Sequence, residues 1–323
     1  MAYLEGCSMR ISGITYAVRK THKTRNIVLT VIILLFLVII SLVLITGYES
    51  WVLLHPEKEP IGTFSSNIVP EYRDISIPGS DESLKGWLFQ AGNSDRAVIL
   101  VHSYGKNRLQ FGIDTVDLIK ELLNKGYGVL AFDLRNSGES GGKDSAFGYS
   151  EKNDVKAAIN YMKKQGWVHI TLLGFSTGAD AALLAAADGS SVDAVIADSP
   201  YADLKSYLNS SVNQWTHLPP LLLNQVITYG IEVTSNIDMK KASPVNLITA
   251  ENPPHLLLIH GKDDKIIPVV NSIELYQKYS ALNPSGAEFW QTGDDGHATS
   301  FIKYKDEYLN RVFAFLDKVY TAE

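Results

Sequence analysis

The sequence predicts an α/β fold in which a mostly parallel sheet is covered by helices on both faces, with one membrane-spanning helix ahead of it. Three observations lead there. From residue 72 onward, short apolar runs alternate with longer stretches of helical period. Several of those runs, such as Ala-Val-Ile-Leu-Val at 97–101 and Leu-Leu-Leu-Ile at 256–259, are unbroken by polar residues. A separate uncharged stretch occupies 27–45. Unbroken apolar runs suit strands buried on both faces, and helices between successive strands imply parallel crossovers.

The stretch 27–45 holds only Thr30 and Ser41 as polar residues. As a helix it covers about 28 Å, the thickness of a bilayer core. It is longer than the apolar region of a signal peptide, and residues 46–49 lack a small-x-small cleavage pattern. Arg10, Arg19, Lys20, Lys23 and Arg25 precede it against the single acid Glu5, whereas Glu49, Glu57 and Glu59 follow. The positive-inside rule therefore puts the N-terminus in the cytoplasm and the rest of the chain on the other side. The expected organisation is a basic cytoplasmic segment at 1–26 and an anchor at 27–46. A tether at 47–70, with Tyr48 and Trp51 at the far interface, then leads to a globular domain at 71–323.

Within that domain, strands are expected at 73–77 and 84–90, joined as an antiparallel edge hairpin by Pro78-Gly79-Ser80-Asp81. Further strands are expected at 97–102, 127–132, 168–173, 192–197, 255–260 and 287–291. Helices are expected at 113–124, 150–165, after Ser176, at 269–279 and at 299–319. The interval 200–253 is too long for a simple crossover and reads as a helical lid insertion. Its apolar patch is Trp215, Leu218 and 221–223, interrupted by Pro219-Pro220.

Composition excludes several functions. The chain of 323 residues carries a net charge of −6, and the part beyond the basic N-terminus is more acidic still, so nucleic acid is not an expected partner. The sole cysteine, Cys7, precedes the anchor, which leaves the following domain without a disulfide framework or a thiol nucleophile. No repeat with a period of 20 to 50 residues is visible.

The chemistry concentrates at Gly174-Phe175-Ser176-Thr177-Gly178, between an apolar run and the Ala-rich segment 179–187. A serine between two glycines at a strand-to-helix corner has the form of a nucleophile elbow, whose tight turn leaves no room for Cβ atoms two positions either side. The bland reading is a helix N-cap serine. A serine nucleophile needs a base. His297 in the loop Gly293-Asp294-Asp295-Gly296-His297 is the candidate, because His22 and His55 precede the domain and His169 and His255 start strands. The acid that orients it would come from Gly261-Lys262-Asp263-Asp264, with Asp198 as a further candidate. Ser, then Asp, then His is the chain order of the α/β-hydrolase fold. The backbone N–H groups of Thr177 and Tyr104 are the expected oxyanion donors.

With these motifs, the chain from about residue 72 resembles an α/β-hydrolase of the serine aminopeptidase S33-like group, close to bacterial membrane-anchored cell-surface hydrolases and esterases. His102-Ser103-Tyr104-Gly105 resembles that group's His-Gly-x-Gly. Residues Asp133 through Ser140 resemble its Asp-x-Arg-Gly-x-Gly-x-Ser, and His260 through Pro268 its His-Gly-x-x-Asp-x-x-Val-Pro. The last alignment selects Asp264 over Asp263. Ser103 and Asn136 replace glycines, of which Asn136 is the milder change because Asn tolerates positive φ. Asp133 and Arg135 are expected to order loops. The resemblance implies a membrane-anchored, extracytoplasmic serine hydrolase with catalytic Ser176, Asp264 and His297. It would cleave a carboxylic ester of a small-molecule acyl substrate, with no metal or organic cofactor. Aminopeptidase or thioesterase chemistry is the alternative, and a non-catalytic surface binding protein is the alternative of another class.

Overall fold

The computed structural model describes residues 8–11, 14–17, 23–63, 68–79, 82–216, 223–248, 254–293 and 296–321. The chain divides into two units, Met1–Gly47 and Tyr48–Glu323. In the first, β1 (Ser8–Ile11) and β2 (Ile14–Ala17) pair antiparallel, and α1 (Lys23–Leu54) begins. The most apolar window of α1 has a mean hydropathy of 3.5 and none of it is buried, so this helix is long and apolar enough to cross a membrane. Cys7 and the cationic residues 19–20 lie outside the described residues, as do Ser80, Asp81, Asp294 and Asp295.

The second unit is built on an eight-stranded sheet in the order β10-β9-β8-β7-β5-β6-β4-β3. Its strands are β3 (Arg73–Pro78), β4 (Ser83–Phe89), β5 (Arg96–Val101), β6 (Gly128–Phe132), β7 (His169–Phe175), β8 (Ala194–Asp198), β9 (His255–Gly261) and β10 (Ala287–Thr292). β3 pairs antiparallel with β4, and β4 with β6, which gives the edge hairpin expected from the sequence. Every other pairing is parallel.

The unbroken apolar runs serve two cores, one on each side of the sheet. In β5, Ala97, Ile99 and Val101 point to one core and Val98 and Leu100 to the other. In β9, Leu256 and Leu258 likewise oppose Leu257 and Ile259. This is the period-two alternation of a strand whose both faces are covered. The first core is closed by α3 (Glu151–Lys164), α4 (Thr177–Ala187) and α9 (Val270–Leu282). The second is closed by α2 (Ile113–Asn124), α10 (Ser300–Lys303) and α11 (Lys305–Thr321). One helix is expected at 299–319, but the chain breaks at Tyr304, with φ −127° and ψ 41°. No proline or glycine marks that break. Tyr304 instead turns its ring edge-on to Trp290, at 6.4 Å.

Between β8 and β9 the insertion forms α5 (Leu204–Ser211), α6 (Asn213–Thr216), α7 (Leu223–Ser235) and α8 (Pro244–Leu247). Of its expected apolar patch, Trp215 and Leu223 are described, whereas Leu218, Pro219, Pro220, Leu221 and Leu222 lie outside the described residues. The insertion has its own small core, in which Tyr207, Leu208, Ile227 and Ile231 meet Phe147, Leu53 and Leu54.

Those two leucines correct the expectation of a tether beginning at residue 47. α1 continues to Leu54, and both leucines are only 5% exposed. The chain beyond stays docked on the domain. Pro56 O accepts from Asn136 Nδ2 at 3.1 Å, and Lys58 Nζ donates to Ser140 O at 2.6 Å. Leucines that can bury apolar area against an adjacent core do so rather than remain in water.

Candidate active site

Parallel strands end together, so β5, β7, β8 and β9 deliver their following loops to one edge of the sheet. The register pairs Val101 with Gly174 and Phe175 with Asp198. The loop after β5 therefore stands beside the corner after β7. At that corner Ser176 has φ 51° and ψ −127°, a positive φ that L-residues rarely adopt. The glycines explain themselves sterically. A Cβ on Gly178 would collide with the carbonyl oxygens of Val101 and His102, and one on Gly174 would lie 2.6 Å from Ala179 Cα. Ser176 makes no side-chain cap bond to α4, so the N-cap reading does not describe it.

Its hydroxyl, buried with 2% exposure, instead lies 2.8 Å from His297 Nε2. His297 Nδ1 lies 2.7 Å from Asp264 Oδ2. Ser176, His297 and Asp264 thus form one hydrogen-bonded chain assembled from three loops. Asp264 also accepts the N–H groups of Ile266 and Ile267, both at 2.9 Å. His260 Nε2 stands 3.3 Å from its Oδ2. Burial by itself would raise this carboxyl. The hydrogen bonds from His260 and His297, with the His297 charge and the Ile267 N–H, outweigh burial and hold it well below the usual carboxylate range. An ionised Asp264 accepts a hydrogen bond from His297 Nδ1–H, which fixes the tautomer and leaves Nε2 free to accept from the serine hydroxyl.

The other acids are placed elsewhere. Asp263 is exposed. Asp198 is fully buried, accepts from Ser199 Oγ at 2.9 Å, and interacts with Tyr308. Ser199 Oγ also accepts from Ala298 N at 3.1 Å, which steadies the backbone next to His297. Asp133 binds Arg108 in a buried pair at 2.6 Å and accepts from Glu139 N, while Arg135 pairs with Asp154 at 2.8 Å. These are loop-ordering contacts. Asn136 has φ 52°, the conformation that makes Asn a mild replacement for Gly.

Sequence reasoning missed two features of the loop after β5. Tyr104 N donates to Thr177 Oγ1 at 2.9 Å, so the side chain of one expected oxyanion donor engages the N–H of the other. The Tyr104 hydroxyl donates to Leu53 O at 2.7 Å, and its ring stacks on Phe147 at 5.4 Å and tilts against Trp215 at 4.7 Å. Neither contact has a signal in spacing. His102, fully buried, is a structural residue: desolvation lowers its pKa, and its Nε2 accepts from Leu134 N while Nδ1 donates to Ser103 O.

A strained serine after a parallel strand is thus bonded through a histidine to a buried aspartate. The model of the prolyl oligopeptidase family matches residues 115–323. The chain belongs to that family. Its motif-level resemblance and this match lead to the same superfamily, and the chain is an α/β-hydrolase. The Pyrococcus furiosus esterase Pf2001 superposes with a TM-score of 0.67 and 28% identity, covering 82% of this chain and 98% of the esterase. YqkD of Bacillus subtilis is 29% identical over 243 residues, which are 73% of this chain and 76% of its own. Lysophosphatidylserine lipase ABHD12 of Danio rerio is 28% identical over 241 residues, 71% of this chain and 60% of its own.

Proposed function

We propose that the protein is a membrane-anchored serine hydrolase that cleaves a carboxylic ester through an acyl-enzyme. Ser176 Oγ attacks the carbonyl carbon as His297 Nε2 takes its proton, and Asp264 stabilises the imidazolium. The tetrahedral oxyanion is held by the N–H groups of Thr177 and Tyr104. The first N–H groups of α4 have no intrahelical acceptor and lie at the positive end of the helix dipole. The Thr177 hydroxyl accepts from Tyr104 N in the resting site, so the oxyanion displaces it by rotation of the Thr177 side chain. His297 then protonates the leaving group, and water releases the acyl group by the reverse proton path.

The observation that carries this reading is the continuous bond chain from Ser176 through His297 to the buried Asp264. Ester is preferred over amide because the structural relative named above is an esterase and a sequence relative is named a lipase. The aromatic cluster of Tyr104, Phe147 and Trp215, on the loop whose Tyr104 N–H meets Thr177 Oγ1, also suits an acyl chain. The match to the prolyl oligopeptidase family favours peptide-bond cleavage, as by an aminopeptidase, as the second reading. In this reading residues 27–46 anchor the chain, with residues 1–26 cytoplasmic and the hydrolase on the other side.

Ser176→Ala, assayed on p-nitrophenyl esters of graded acyl length and on an aminoacyl anilide, tests the proposal. Ester turnover abolished by the substitution and exceeding anilide turnover in the parent is expected. Ester turnover surviving Ser176→Ala would refute it.

A further inference from the structure

α7 buries one face, through Asn224, Ile227, Thr228 and Ile231, in the core of the insertion. Its opposite face carries an apolar stripe, flanked by the exposed Gln225 and Thr234. Val226, Tyr229 and Val233 recur at helical spacing and are 42%, 66% and 61% exposed. The sole ionisable side chains on α7 are Tyr229 and Glu232, and Glu232 is turned to Lys205 at 3.2 Å. An exposed apolar stripe opposite a buried face marks an interaction surface.

Chain connectivity identifies the cover. Ser50 Oγ donates to Ile227 O at 3.1 Å, which pins the middle of α7 to the last turns of α1. Ser50 lies four positions beyond the end of the proposed anchor at residue 46, a reach of about 14 Å at full extension and about 6 Å as a helix. The headgroup layer beyond each side of the hydrocarbon core is itself about 5–8 Å deep. Tyr48 and Trp51, 64% and 56% exposed in the same turns of α1, are residues suited to that layer.

We infer that α7 is an interfacial helix, its Val226, Tyr229 and Val233 face seated on the bilayer that holds the chain's own anchor. The inference rests on the proposed anchoring by residues 27–46. It brings the insertion, and with it Trp215 against Tyr104, to the lipid surface, so that an acyl substrate enters from the leaflet rather than from bulk water.

The test uses the full chain with Cys7→Ser, reconstituted in phosphatidylethanolamine and phosphatidylglycerol vesicles. Single cysteines at Val226→Cys, Tyr229→Cys and Val233→Cys carry an environment-sensitive fluorophore. Val168→Cys, 67% exposed ahead of β7 at the opposite end of the sheet, is the aqueous reference, and Leu37→Cys in α1 is the membrane reference. Labels at 229 and 233 should shift to the blue and lose fluorescence to doxyl-labelled phosphatidylcholine, as the label at 37 does, while the label at 168 does neither. Quenching at 37 with labels at 229 and 233 behaving like 168 would overturn the inference and leave the anchor standing. A blue shift at 229 and 233 without doxyl quenching would mean that a second protein copy covers the face, which also overturns it. Absence of quenching at 37 would remove the anchor reading and the inference together. In the same vesicles, Tyr229→Glu with Val233→Glu should lower turnover of a long-chain ester by about fivefold or more, with a water-soluble short-chain ester spared. Equal loss on both esters would point to a folding defect and count against the interfacial role.

Discussion

Asp264 accepts hydrogen bonds from His297 and from the backbone of Ile266 and Ile267, so its carboxylate is satisfied before any substrate arrives. Replacing it by Asn offers His297 an amide and favours the wrong imidazole tautomer. Asp264→Asn is therefore expected to lower kcat by about 10³–10⁴-fold with KM little changed, measured on the best ester. The same residue has a stability consequence. A carboxyl whose pKa is depressed by folding stabilises the folded state above its unfolded pKa, and that contribution is lost as pH falls toward the folded value. The window opens below about pH 4, where an unfolded Asp begins to take up its proton. Denaturant unfolding at stepped pH should show a steeper acid loss in the parent than in Asp264→Asn, and equal slopes would contradict this assignment. The sequence pointed to Ser176 and His297 by spacing, yet it left two adjacent aspartates level until a motif separated them. What separates them physically is burial, because Asp263 is exposed and Asp264 is not. The Thr177 to Tyr104 bond joins residues 73 positions apart and depends on a side-chain rotamer, which no pattern in a chain encodes.

At the scale of elements, the corner between β7 and α4 is closely packed against β5. Gly178 lies against the carbonyls of Val101 and His102, which belong to the end of β5 and the loop after it. Gly178→Ala should force β5 and α4 apart, at a cost of about 1–3 kcal/mol seen in thermal unfolding, with loss of the Ser176 geometry and hence of ester turnover. An alanine variant with parental stability and rate would show that the corner is looser than the geometry requires. Elements of this kind were legible because local sterics dictate them: glycines at the elbow, and double-sided apolar runs in β5 and β9. Elements set by distant contacts were not. The break at Tyr304 answers to Trp290, and the extension of α1 to Leu54 answers to the core of the insertion, so neither leaves a breaker or a boundary in the local sequence.

Across the whole molecule, the last turns of α1 belong to the hydrolase rather than to a linker. Leu53 and Leu54 fill the core of the insertion, and Leu53 O holds the Tyr104 hydroxyl. A chain starting at Pro56 forfeits those contacts, whereas one starting at Tyr48 retains them. The shorter chain should melt about 5 °C lower or more, and lose ester turnover out of proportion to that change, because the loop bearing Tyr104 N loses its brace. Equal melting temperatures and rates for the two chains would show that residues 48–55 are dispensable.

The central claim, an activated serine at the elbow, is tested most directly by treating the full-length protein with a fluorophosphonate and locating the adduct by mass spectrometry. A single adduct on Ser176, absent from Ser176→Ala and strongly reduced in His297→Ala, is the expected result. An unlabelled protein, or an adduct on another serine that survives Ser176→Ala, would contradict it.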